Sequence, residues 1–416
     1  MSFVKLSLAA LLAVSASAAP SPHHSSPKTD VVASTYFAGY HANRGFPVKD
    51  MPWKKYTDVK YAFAETSDDG SLDLSKSAPD QLPVFVEAAR KNKVKVQVSI
   101  GGWTGSRFFS SSIGSAENRT AFVKTCLDFV EKYKLDGLDF DWEYPNRQGL
   151  GCNVINKDDT ANFIKFLEEL RKKEPKPLFL TAATSLNPWL DADGVSSTNG
   201  ALKPFADALD YLMIMGYDIY GGWAETGGPN APLKSSCDKD RNTQGGIMEG
   251  VDNWINAGIP VNKLVLGVPA YGHGFSVTPD NAFTGPDKEL NAYPPQNNSR
   301  RFQGSSWDND PAIDDCGNPQ PPSGTYPIWS MVKEAKFLDD KGKPKEGIFS
   351  GYDDCSQTPF LYDEKDQIWV SYDNVKSLTA KGKYINSTGL AGFSMWEAGG
   401  DHKNIVVNAI REAVGL

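Results

Sequence analysis

From Ser34 onward the chain alternates between two periodicities. Short apolar runs with strand character recur near Thr35–Tyr40, Val59–Glu65, Val94–Gly101, Gly137–Glu143, Leu178–Thr184, Tyr211–Asp218, Leu264–Tyr271 and Leu390–Glu397. Between them, apolar residues fall three and four apart, as in Pro79–Lys91, Ala116–Tyr133, Asp158–Lys172, Gly246–Ala257 and Asn374–Lys381, and a last helix is expected over Asp401–Val414. Strand-like runs alternating with helical ones mark a parallel α/β fold. Eight repeats favour a (β/α)8 TIM barrel, whose site gathers at the C-terminal ends of the strands. A doubly wound open sheet would need a Gly-rich phosphate loop after its first strand. Gly39-Tyr-His-Ala-Asn-Arg-Gly-Phe46 is no such loop.

One interval breaks the rhythm. Between Tyr271 and Gln367 the chain is rich in Pro, Gly and Asn, with aromatics at Tyr293, Phe302, Trp307, Tyr326 and Trp329. A structureless loop of that length is implausible inside a compact domain. A small inserted domain is expected over 274–366, dividing the barrel into 34–273 and 367–416. The chain also opens with a secretion pattern: Lys5, an apolar run from Leu6 to Val14, and Ala16-Ser17-Ala18 as a cleavage site. Residues 1–19 therefore read as a signal peptide and 20–33 as a flexible, Pro/Ser/His-rich leader. The apolar run is too short to span a bilayer, no later stretch is long enough, and the C-terminus carries no lipid-anchor signal.

The candidate chemistry sits in Leu135-Asp-Gly-Leu-Asp-Phe-Asp-Trp-Glu-Tyr-Pro145. In an extended strand Leu138, Phe140 and Trp142 share one face, while Asp139, Asp141 and Glu143 share the other, about 6.6 Å apart. Gly137 heads the column, and Pro145 places Glu143 near the strand's end. Crowded carboxylates cannot all ionise freely, so at least one pKa should rise. A carboxyl protonated near neutrality is what protonates a glycosidic oxygen. A solvated strand edge does not fit an opposite face of Leu, Phe and Trp. Three acids rising along one strand also direct too few oxygens at one point for Ca²⁺ or Mg²⁺.

Asp136-Gly-Leu-Asp139-Phe-Asp141-Trp-Glu143 resembles the DxxDxDxE signature of glycoside hydrolase family 18, the family of many chitinases. Ser99-Ile-Gly101-Gly102-Trp103 is similar to that family's SxGG segment, and Met213-Ile-Met215-Gly-Tyr217-Asp218 to its MxYD pattern. Gly267-Val-Pro-Ala-Tyr271-Gly272 resembles another family segment. In the last strand Gly392 and Ser394 share a face with Trp396, two small residues leaving an indole open to the barrel mouth. Tyr40, Phe63, Glu65 and Tyr144 are further strand-end candidates for substrate contact; for a single aromatic, core packing is an even alternative, except for Trp103, Trp396 and Tyr144, whose positions favour the cleft.

The resemblance implies an α+β insertion between strand seven and its helix, and hydrolysis of chitin or chitooligosaccharides by a retaining, substrate-assisted route. It assigns Glu143 as general acid and base, Asp141 to the substrate acetamido group, Asp139 to setting the charge state of Asp141, Tyr217 to the acetamido oxygen with Asp218 assisting, and Trp396 to the sugar floor. A chitinase-like lectin and an endo-β-N-acetylglucosaminidase share the family. The lectin typically lacks the terminal acid; the insertion and the Trp-lined strand ends favour a linear polymer over protein-linked glycans.

Charge and cysteines refine this. A formal net charge of −8 argues against nucleic acid as partner. Five cysteines suit an extracellular protein with two disulfides, expected as Cys152–Cys237 and Cys316–Cys355, with Cys126 a buried core thiol on a helical face. The five histidines show no metal-ligand spacing, so no metal or cofactor is implied, and a monomer is expected. Asn118, Asn297 and Asn386 begin possible glycosylation sequons.

Overall fold

The computed structural model describes residues 31–235, 245–308 and 310–416. The expected signal peptide and leader lie outside these residues, except for the leader's last three. Seven parallel strands come first: β1 (Val32–Ala38), β2 (Asp58–Thr66), β3 (Lys95–Gly101), β4 (Gly137–Asp141), β5 (Phe179–Thr184), β6 (Tyr211–Ile214) and β7 (Leu264–Pro269). Five antiparallel strands follow: β8 (Tyr271–Ser276), β9 (Thr325–Pro327), β10 (Phe349–Asp353), β11 (Thr358–Asp363) and β12 (Ile368–Ser371). The last strand, β13 (Gly392–Trp396), returns to the first sheet. There β1 pairs with both β2 and β13, and β13 with β7, so eight parallel strands close into a barrel. Each strand falls on one of the expected apolar runs.

Local sequence explains the ends of the elements. Ala116–Tyr133 is helical because Ser115 caps it, accepting from the Asn118 amide, and Lys134 closes it in the left-handed region. Gly137 permits the closest strand approach: a Cβ there would stand 1.7 Å from the Phe179 carbonyl oxygen on β5.

The barrel packs as the alternation requires. Outward, Phe140 meets Phe163 and Phe166 at 5.9 and 5.5 Å between ring centres, and Trp142 stacks on Phe109 at 5.1 Å. Inward, deep in the barrel, fully buried Lys60 donates to Asp58 at 3.0 Å and to the Ser34 hydroxyl at 2.6 Å, while Tyr211 donates to Asp58 at 2.7 Å. Burial alone would raise the Asp58 pKa; Lys60, Ser34 and Tyr211 outweigh it and hold the carboxyl below its ordinary range.

β8 to β12 form their own sheet, in the order β9-β8-β12-β11-β10. It runs from Tyr271 to Ser371, wider than the expected 274–366. A second core holds it, with Phe275, Phe360, Tyr362 and Trp369 at its centre.

The expected disulfides do not form as paired. Cys152 bonds Cys316, joining positions 164 residues apart, which overturns both expected pairs. Cys355 is also disulfide-bonded, whereas Cys237 lies outside the described residues. The pairing failed because neighbours in sequence do not predict which loops meet above a barrel. Cys126 is free and buried.

Candidate active site

The column of acids rises through the barrel mouth along β4 and past its end. Asp139 is fully buried. One of its oxygens accepts from the Tyr36 hydroxyl at 3.0 Å and the Ser99 hydroxyl at 2.8 Å; the other accepts from Thr181 at 2.5 Å. Three hydroxyls from three other barrel strands thus fix this carboxylate.

Asp141, next on that face, is buried, and its Oδ1 has no hydrogen-bond partner among the described residues. Burial first, then the charges of Glu143 and Asp139, push its pKa well above the usual carboxylate range. Glu143 follows β4, half-buried, with its amide donating to Ser106 Oγ at 3.0 Å and its carbonyl accepting from Asn153 at 2.8 Å. Desolvation, reinforced by the charge of Asp218, raises the Glu143 pKa to about 7, against the pull of Tyr144 and Arg147. Within the column, Asp141 is the acid that its like-charged neighbours push up, as expected of crowded carboxylates.

The far bank comes from β6 and β8. Tyr217 is buried, packed against Met215, Tyr271 and Trp396. The Tyr271 hydroxyl and His273 Nε2 both meet the same Asp218 oxygen, each at 2.7 Å. The floor is Trp396, stacked on Phe63 at 5.4 Å and met edgewise by Tyr36 at 5.2 Å. Gly101 is needed as glycine: its φ is +104°, and a Cβ would lie 2.2 Å from the Asp141 carbonyl oxygen. A Cβ on Gly102 would press on the Phe63 ring at 2.9 Å.

Beside this floor opens a cavity of about 320 Å³, lined by Tyr40, Asp218, Tyr271 and Trp396 and, opposite them, by Trp307 and Thr325. Asp139, Asp141, Glu143, Met215, Tyr217, Asp218, Tyr271, Phe63 and Trp396 thus converge. Tyr144 stands beside Glu143, its ring under the Arg147 guanidinium at 4.0 Å. Glu65 is ion-paired to Lys76 at 3.2 Å, and Trp103 stands exposed after β3.

Sequence reasoning missed Tyr36, Thr181, His273 and Trp307. Tyr36 and Thr181 sit on otherwise apolar strands, but Tyr and Thr are ordinary strand residues, so neither marks a site by itself. His273 and Trp307 belong to the inserted sheet and its loops, where no barrel periodicity points inward.

With this geometry in place, comparison with known proteins is specific. The sequence profile of glycosyl hydrolases family 18 matches residues 33–401. A "chitinase-like effector" of Moniliophthora roreri is 45% identical over 92% of this chain and 93% of its own length. Chitinase A1 of Niallia circulans is 29% identical over 76% of this chain, which covers 42% of that protein. The crystal structure of a chitinase from Rhizomucor miehei superposes with a TM-score of 0.81 at 33% identity, covering 92% of this chain and 99% of that one. A closed parallel barrel, a carboxylate column on its fourth strand and a profile matching residues 33–401 agree: the protein belongs to glycosyl hydrolase family 18.

Proposed function

We propose that the protein is a secreted chitinase that hydrolyses β-1,4 links between N-acetylglucosamine units with retention of configuration. The observation that carries this reading is Glu143, a half-buried acid whose pKa is raised to about 7 directly above the buried Asp141. Such a carboxyl is still about half protonated at neutrality and can deliver its proton to a glycosidic oxygen.

The substrate's own acetamido oxygen then attacks C1 as the C1–O bond to the leaving sugar breaks, giving an oxazolinium-type intermediate. Asp141 Oδ1, buried and unpartnered, suits the acetamido N–H and the positive charge that develops there. Tyr217 donates to the acetamido oxygen. Asp139, its carboxyl oriented by three hydroxyls, stands beneath Asp141. Glu143, now ionised, takes a proton from water, which opens the intermediate from the face the leaving group vacated. Trp396 supports the distorted sugar from below.

The Moniliophthora roreri relative is named a chitinase-like effector rather than a chitinase, so a second reading is a chitinase-like lectin that binds chitin fragments without cleaving them. The presence of Glu143 weighs for hydrolysis. Turnover and binding of chitohexaose by wild type and Glu143→Gln separate the two. Hydrolysis should be lost in the variant while binding persists; binding without cleavage by either protein overturns the reading.

A further inference from the structure

Above the barrel, residues 305–308 and 310–325 lead into β9, passing through the short hairpin of Ala312–Ile313 and Pro319–Gln320. Its root stands on one bank of the site. Trp307 stacks on His41 at 3.8 Å and donates to the Arg44 carbonyl at 2.6 Å, while Arg44 returns a bond to the Ser306 carbonyl at 2.6 Å. Asp308 gathers the two root strands, accepting from the amides of Gly304, Ser323 and Gly324.

The tip reaches loops that follow three other strands. Asp315 pairs with Lys76, after β2, at 2.6 Å and with Arg107, after β3, at 3.6 Å. Cys316 is bonded to Cys152, in the loop after β4. That loop is the one whose Asn153 holds the Glu143 carbonyl. Root and tip therefore join the loop after β1 to the loops after β2, β3 and β4. The ionic contacts are partly exposed, so each favours closure only about 1.4- to 5-fold. The covalent bond dominates.

We propose that this hairpin is a specificity device: a covalent latch that turns an open cleft into a channel, admitting free oligosaccharides and chain ends but excluding the interior of long chitin chains. The inference rests on the carbohydrate reading of the site, but it can be tested without hydrolysis. Chitohexaose and glycol chitin, a long soluble polymer, are bound to Glu143→Gln with and without Cys152→Ser and Cys316→Ser. Opening the latch should raise affinity for the polymer roughly tenfold, about 1.4 kcal/mol, while hexamer affinity stays nearly unchanged.

A polymer-to-hexamer affinity ratio that is the same in both proteins, including binding of neither ligand, overturns the latch. Wild-type cleavage of chitohexaose, measured separately, reports on the hydrolytic reading alone. A melting curve checks that the opened variant folds. If it does not, Asp315→Ala removes the ionic anchors while keeping the disulfide, and should shift the ratio in the same direction by the smaller factor above. No shift there overturns the proposal.

Discussion

Replacing Glu143 with Gln should stabilise the protein in a pH-dependent way. In the folded chain this carboxyl is raised from 4.5 to about 7. Unfolded, it regains its ordinary value. Between those limits the unfolded state releases its proton while the folded state keeps it, so the folded state binds more protons and stability falls as pH rises. Below pH about 4.5 the group is neutral in both states and the penalty vanishes; above pH about 7 it is complete. A shift of roughly 2.5 units at 1.36 kcal/mol each gives about 3.4 kcal/mol. Partial exposure of Glu143 screens part of this, leaving about 2 kcal/mol.

Glutamine is close in shape and cannot ionise, so it removes the penalty and also relieves Asp141 of one neighbouring charge. With an unfolding entropy near 2.1 cal/mol/K per residue, about 2 kcal/mol corresponds to roughly 2 to 3 °C in Tm for a chain of this size. Differential scanning calorimetry of both proteins from pH 4 to 8 reads the effect. The variant should melt higher at pH 8, with the difference closing toward pH 4. A difference that is independent of pH, or that widens on acidification, would refute the burial argument.

Three further outcomes follow from the same contacts. Asp141→Asn should lower kcat about 10²- to 10³-fold with little change in KM, since an amide cannot ionise to meet the positive charge that develops on the acetamido group; steady-state kinetics on chitohexaose checks this. Trp396→Ala should raise KM about tenfold, roughly 1.4 kcal/mol of lost stacking, with Tyr36 and Phe63 left without their partner. Phe140→Ala, on the outer face of β4 against Phe163 and Phe166, should cost about 3–5 kcal/mol in urea unfolding. Wherever the variant remains folded, its pH–rate profile should not change.

The barrel was legible because periodicity reports burial. All eight strands lie on apolar runs, and Ala116–Tyr133 is bounded as the pattern indicated. Strand ends were less legible: β4 stops at Asp141, two residues short of Glu143, because side-chain alternation continues after pairing ends. The three acids were visible because polar residues facing a barrel interior violate the apolar pattern. Their hydroxyl partners were not, since Tyr36 and Thr181 pass as ordinary strand formers. The Cys152–Cys316 bridge was illegible for another reason: it depends on how a long insertion folds back over the barrel, a contact between positions far apart in the chain.

The most direct test of the proposed chemistry is the anomeric form of the product at the moment of release, followed by NMR during cleavage of chitohexaose by wild type, with Glu143→Gln as control. Substrate-assisted attack through the acetamido group requires the β-anomer first, with none from the variant. Release of the α-anomer first would contradict the retaining mechanism, and absence of cleavage by wild type would contradict hydrolysis itself.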